Sequence, residues 1–253
     1  MTSPRKILVL GALSAMAQAA ARRLAAGGAH LVLAGRDAAR LEAAALDLRA
    51  RGAGSVETLA ANLAAVDDPF AVTADVAARL GGLDAVLIFY GVLGDEANSS
   101  HDITELRRQL RVNVDSPIEW AAAAAATLER SEHPDPVIVA VGSVAGDRGR
   151  ASNKTYGAAK AGLAVYMQGL AHKGGDKTRR LRAVTVKPGF TDTPMTDGLA
   201  KGGPLWSSPD RVAKDIVAAV EGGGPIRYSP WFWRWIMLIV RLLPQPVMDK
   251  LKL

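Results

Sequence analysis

Residues 7–17 run Ile7-Leu8-Val9-Leu10-Gly11-Ala12-Leu13-Ser14-Ala15-Met16-Ala17, and this stretch decides the fold. Four consecutive apolar residues suit a strand buried on both faces. A glycine then opens a tight turn, and the Ala-rich run over 14–26 predicts a helix. In doubly wound sheets such a strand–turn–helix aims backbone amides and the helix N-terminus at a pyrophosphate. Gly11 permits close backbone approach in full, Ala15 and Ala17 only in part. Taken alone, the same turn also occurs in folds that bind no cofactor.

The pattern continues outward. Strands are expected at 30–34, 56–60, 85–89, 137–141, 183–186 and, at an edge, 226–228. Helices are expected at 37–51, 69–80, 103–129, 156–170 and 210–220. Strands alternating with helices imply right-handed βαβ units and a parallel sheet covered on both faces. The expectation is a single α/β, Rossmann-type sheet over 1–228, with an apolar, amphipathic helical appendage at 229–253.

Composition agrees: 253 residues, 49% hydrophobic and 22% charged, is ordinary for one α/β domain. The absence of cysteine excludes a thiol nucleophile, a disulfide framework and a cysteine zinc site, and no metal is expected. A net charge of +6 admits nucleic acid, anionic lipid or a phosphorylated ligand as partner. The one basic run, Lys173, Lys177, Arg179, Arg180 and Arg182, comes without any nucleic-acid-binding motif, so no nucleic acid is expected. No secretory core precedes the first strand and no run of 18 apolar residues occurs, so the expected location is cytoplasmic.

The second strand ends Ala34-Gly35-Arg36-Asp37. At this position an acidic residue accepts from a ribose 2′-hydroxyl, whereas arginine pairs with a 2′-phosphate. Arg36 therefore favours NADP(H) over NAD(H). Asp37 either competes for that role or caps the second helix.

The chemistry gathers at Tyr156-Gly-Ala-Ala-Lys160. Residues four apart share a helix face, and an ammonium beside a phenol is expected to lower its pKa toward neutrality, making Tyr156 an acid/base. Ser143, in Val141-Gly-Ser143-Val-Ala-Gly146, follows the fifth strand. There its hydroxyl can polarise a carbonyl at the carboxyl edge of the sheet, or simply cap a turn.

The glycine turn, Ser143, Tyr156-x-x-x-Lys160 and Pro188-Gly189, in this order and spacing, resemble the short-chain dehydrogenases/reductases over about residues 5–228. The resemblance implies a ketone/alcohol oxidoreductase with Tyr156 as acid/base, Ser143 on the substrate oxygen and Lys160 also on the nicotinamide ribose. Asn113, in Val112-Asn-Val, would position a relay water. Asn62 stands near the adenine where the family has aspartate, and Pro188, Gly189, Thr191 and Thr193 lie on the nicotinamide segment. Gly11, Ser14, Ala15, Met16, Leu63 and Gly91 complete the cofactor set. The resemblance also implies a homo-oligomer, dimer or tetramer. Three features depart from the family: alanine at 15 and 17, Ile88-Phe89-Tyr90-Gly91 in place of Asn-Asn-Ala-Gly, and the basic connection 171–182. The second removes polar groups that tie the sheet to the fourth helix.

Gly91-Val-Leu-Gly94-Asp95 and the aromatic tail resemble, more weakly, the branch that reduces a 2-keto sugar on a decaprenyl phosphate. In the tail, Ser229 is expected to cap and Pro230 to start a helix over 231–243, with Arg234 and Arg241 on one face and Pro244 as its stop. Thirteen helical residues span about 20 Å, too short for a bilayer. Tryptophan with arginine suits a membrane surface, and the same helix would equally cover a substrate pocket or an oligomer contact. The candidate substrate is thus a ketone, extending to a keto sugar or lipid-linked keto sugar. A general carbonyl or 3-oxoacyl reductase, a small-alcohol dehydrogenase and a non-catalytic dinucleotide-binding protein stay open as alternatives.

Overall fold

The computed structural model describes residues 4–250 except Lys177 and Arg179. Two members of the basic run therefore lie outside the described residues.

The first half of the chain alternates β1 (Lys6–Leu10), α1 (Ala15–Ala26), β2 (His30–Gly35), α2 (Ala38–Ala50), β3 (Ser55–Ala60), α3 (Pro69–Leu80) and β4 (Ala85–Ile88). Then come α4 (Glu96–Ser99), α5 (Ile103–Leu110), α6 (Ser116–Leu128), β5 (Val137–Val141), α7 (Lys154–Ala171) and β6 (Arg182–Pro188). The chain closes with β7 (Phe190–Thr191), β8 (Trp206–Ser207), α8 (Pro209–Glu221), β9 (Ile226–Ser229), α9 (Trp233–Leu242) and α10 (Gln245–Met248). Seven strands form one parallel sheet in the order β3-β2-β1-β4-β5-β6-β9. The order reverses between β1 and β4, so the ligand crevice opens above the carboxyl ends of these strands.

Alternate residues of each strand feed two cores. Ile7, Val9, Leu31 and Val139 pack with Ala17, Leu41 and Ile216 of α1, α2 and α8 on one face. Leu8, Leu10, Val86 and Ile138 pack with Val76, Trp120 and Leu163 of α3, α6 and α7 on the other. Ala17 is wholly buried in the first core; there the departure from glycine fills space in the core.

Several boundaries differ from expectation. The helix expected over 103–129 is α5 and α6 joined by a π-helical turn, Arg111–Asp115; one extra residue in the turn, a feature sequence periodicity does not register, re-aims Asn113. The four-residue α4 was not foreseen, being too short for a periodicity. Ser229 is not a helix cap. It ends β9, is fully buried and donates to Asp215 Oδ2 at 2.7 Å, and the tail helix begins only at Trp233. Register with β6 outweighs the local Ser-Pro signal. In the basic connection, Arg180 donates to the carbonyls of Ser131 and His133 at 2.7 and 2.9 Å. Arg182 forks onto both oxygens of Asp135 at 2.5 and 2.7 Å. Arg182 also donates to the Ala219 and Val220 carbonyls of α8 at 3.0 and 2.8 Å, so these cations tie the start of β6 to the segment before β5 and to α8. No described helix is long and apolar enough to cross a membrane.

Candidate active site

At the β1–α1 turn, Gly11 has φ +80°, and a Cβ there would lie 2.8 Å from both the backbone N and the Cβ of Tyr90. Glycine is required because the ends of β1 and β4 nearly touch. Ser14 caps α1 by accepting from Ala17 N at 3.1 Å. Ala15 and Met16 follow as the first-turn residues of α1, whose amides are the helix's orphan donors. This donor set fits an anionic pyrophosphate. Asp37 caps α2, accepting from Arg40 N at 3.0 Å. Of the two readings left open for Asp37, helix capping is the one seen. Arg36 is exposed and makes no ion pair among the described residues.

The altered β4 end replaces its lost polar groups in a different way. Ser116 donates to the carbonyl of Leu63 at 2.8 Å, so Tyr90 donates its phenol proton to Ser116 Oγ at 2.6 Å. Trp120 Nε1 donates to the same carbonyl at 3.0 Å. Leu63 is thus turned inward, while Asn62 caps the short helical turn Leu63–Ala65. Burial drives the Tyr90 phenol above its ordinary range, despite the Ser116 bond; its task is to tie the sheet to α6.

Asn113 is completely buried and grips Val92 from both sides, its Nδ2 donating to Val92 O and its Oδ1 accepting from Val92 N, each at 2.9 Å. A Cβ on Gly91 would lie 2.8 Å from Asn113 Oδ1 and 3.3 Å from Lys160 Nζ. Gly91 therefore lets the strand end, Asn113 and Lys160 meet at one point.

Ser143 follows β5 and heads a short helical turn, Val144–Gly146, accepting from Ala145 N at 3.1 Å. The loop presses directly on α7. A Cβ on Gly146 would strike the Lys160 backbone at 2.8 Å, and one on Gly157 would meet Ala145 O at 3.0 Å. These glycines escaped the sequence reading because their need arises between elements. Contact at this range brings the Ser143 hydroxyl up to the Tyr156 phenol, where it draws the phenol pKa down. One turn on, the buried Lys160 donates to Val141 O at 3.2 Å, and its Nζ lies 5.7 Å from the centre of the Tyr156 ring.

The expected lowering of the Tyr156 pKa is reversed. Burial raises it, offset only in part by the Ser143 bond. Burial also pushes Lys160 down to about 8. No contribution from the Lys160 charge offsets that rise, so the phenol keeps its proton at neutral pH. Glu96 of α4, also unforeseen, holds the start of α7, accepting from Thr155 N at 2.9 Å and pairing with Lys154 at 2.8 Å.

Pro188 ends β6, and Gly189 N donates to Ser229 O at 3.0 Å. The Trp233 indole seats directly on Gly189. Thr191 is buried and donates to Gly189 O at 3.2 Å, while Thr193 N donates to Thr196 Oγ1 at 3.2 Å. Trp233 and Met237 of α9 pack with Val144, the neighbour of Ser143, so the tail helix walls the site. A separate cavity of ≈280 Å³ between α1 and α2, lined by Arg22, Ala44 and Leu48, reaches none of Ser143, Tyr156 and Lys160. No cluster of three or more His, Asp or Glu able to hold a metal occurs among the described residues.

The family model for short chain dehydrogenases matches residues 5–202. The chain is 32% identical over 249 residues to an uncharacterized oxidoreductase of Mycobacterium tuberculosis strain H37Rv, covering 96% of each. An uncharacterized oxidoreductase of Streptomyces coelicolor is 34% identical over 252 residues, covering 98% of this chain and 96% of that one. A short-chain type dehydrogenase/reductase from Mycobacterium ulcerans superposes with a TM-score of 0.78 at 20% identity, over 98% of both chains; this last likeness is one of fold.

Proposed function

The chain belongs to the short-chain dehydrogenase/reductase family, and on that premise we propose that it is an NADP(H)-dependent oxidoreductase interconverting a ketone and a secondary alcohol. The observation that carries this is the convergence of Ser143, Tyr156, Lys160 and Asn113 at the carboxyl edge of β4 and β5. The nicotinamide, when bound, supplies or takes the hydride. The chain does the rest. Ser143 Oγ hydrogen-bonds the substrate oxygen and orients it. Tyr156 Oη gives that oxygen its proton as the carbonyl carbon is reduced, and recovers one in the reverse sense. Lys160 holds the ribose and keeps the proton path to Tyr156 short. Asn113, fixed on Val92, holds the water end of that path. Gly11, Ala15, Met16, Gly91, Gly189, Thr191 and Thr193 frame the cofactor's bed.

Preference for the phosphorylated cofactor rests on Arg36, exposed and unpaired while Asp37 is engaged as a helix cap. Arg36→Asp is expected to raise the KM for NADPH about 10- to 100-fold, the range of a lost charge-assisted bond, and to alter that for NADH far less. Equal effects on both cofactors would remove Arg36 from the phosphate site.

The substrate side is apolar. Phe190, Met195, Leu199 and Leu205 are exposed after β6, and Trp231, Trp235, Leu238, Ile239 and Leu242 are exposed on the tail. Phe190 stacks on Trp206 at 5.4 Å and meets Trp233 edge-on at 5.8 Å, joining the two surfaces. Arg234 and Arg241 stand among them. This supports a lipid-linked ketone, with a keto sugar included, reached at an anionic membrane surface. Wild-type protein is expected to float with phosphatidylglycerol vesicles at low salt, and Trp235→Glu with Ile239→Glu to stay behind. Protein that never floats, or substitutions that change only the oligomer's mass, would sink the membrane assignment.

A further inference from the structure

The loop between Ser143 and Tyr156 carries three cations, and two have partners. Arg148 donates to Arg241 O at 3.3 Å and Gln245 Oε1 at 3.1 Å, tying the loop to the tail. Lys154 pairs with Glu96. Arg150 is different. It is partly buried, its Nε is shut off from solvent without a hydrogen-bond acceptor, and Nη2 has only the weak Met237 Sδ acceptor at 4.0 Å. The carboxylate whose charge it feels, Asp147, is engaged on both oxygens, by Lys187 Nζ and by Tyr228 OH at 2.7 Å. Desolvation by burial pulls the guanidinium below its ordinary pKa, and the Asp147 charge opposes this.

A partly desolvated cation whose facing carboxylate is already engaged by other groups is unfavourable, and it binds an anion more strongly than an exposed one would. The position tells which anion it meets. Met237, which Arg150 touches, shares a cluster with Val144, next to Ser143, and with Trp233, seated on Gly189. The guanidinium therefore stands where α9 meets the loop that follows Ser143.

We propose that Arg150 is a specificity-determining residue that binds an anionic group, phosphate or carboxylate, carried by the ketone substrate. The proposal rests on the oxidoreductase assignment above. An anionic group beside an apolar surface describes an amphiphile, with its charge at Arg150 and its chain along Phe190 and α9.

The test uses the full chain with NADPH and matched ketones: a free keto sugar, its phosphate ester and the corresponding keto acid. Wild type is expected to show kcat/KM at least about tenfold higher on an anionic member than on the neutral one, carried by KM. Arg150→Met should remove that preference, and Arg150→Lys should restore part of it. The phosphate ester and the keto acid distinguish the two anions. Thermal stability of Arg150→Met should hold or rise, since a partly desolvated cation without a hydrogen-bonded carboxylate is gone. A second measurement does not need turnover: inorganic phosphate should raise the melting temperature of wild type and not of Arg150→Met. If no ketone is reduced but phosphate still stabilises through Arg150, the oxidoreductase assignment fails and the anion site stands. Equal losses on neutral and anionic ketones, or the same phosphate response in both proteins, would overturn the proposal.

Discussion

Tyr156→Phe is expected to lower kcat by about 10³-fold or more while the Kd for NADPH changes little. The phenol is buried and its pKa raised, with the Ser143 hydroxyl acting on it and Lys160 one turn away, and in the proposed mechanism it is this proton that reaches the substrate oxygen. General-acid groups contribute about 10²- to 10⁴-fold, which sets the size of the loss expected. Phenylalanine keeps the ring volume, so the fold and the cofactor bed should survive. Steady-state NADPH oxidation and NADPH fluorescence titration read the two parts separately. A variant with full turnover would remove Tyr156 from the chemistry and revive the non-catalytic binder among the alternatives.

Gly189→Ala is expected to lose about 2–4 kcal/mol of stability and to release α9. A Cβ at this position would fall 2.0 Å from the Trp233 indole, and the backbone cannot retreat because Gly189 N is bonded to Ser229 O. Trp233 is only 4% exposed and lies in the small apolar cluster that holds α9 on the loop after Ser143. The indole must leave, and a displaced core aromatic costs on this order. The expected signs are a red-shifted tryptophan emission and faster proteolysis between β9 and α9. Trp233→Ala should also destabilise, but the double variant should lose clearly less than the sum of the two, since the clash exists only when both are present. Additive losses, or a wild-type melting temperature in Gly189→Ala, would contradict the close approach.

How much could be seen beforehand follows from where each feature is encoded. Ile7–Leu10 with its glycine turn specified a buried strand and a helix start, and both are present. Tyr156 and Lys160 share a face because four residues make about one helical turn, and α7 contains them both. Asp37 as cap was one of two readings, and the bond from Arg40 N shows that cap in place. By contrast, Ser229-Pro230 carried a good local signal for a helix start and lost it to pairing of β9 with β6. The helix over 103–129 concealed a π turn, since one inserted residue does not disturb a composition-level pattern. Tyr90 looked like a lost polar tie; it is a replacement tie, made by a side chain reaching Ser116 on another element.

The sequence by itself determined the parallel sheet, the glycine turn that opens α1, the shared face of Tyr156 and Lys160 and the family that these belong to. Each depends on periodicity within one element or on the order of elements along the chain. Only the tertiary structure decided that burial raises the Tyr156 pKa, that Gly189 makes room for Trp233, and that Arg150 lies partly buried without a hydrogen-bonded carboxylate near the loop after Ser143. Burial, close approach and the sum of nearby charges are properties of segments far apart in the chain, and they acquire values only when folding brings those segments together.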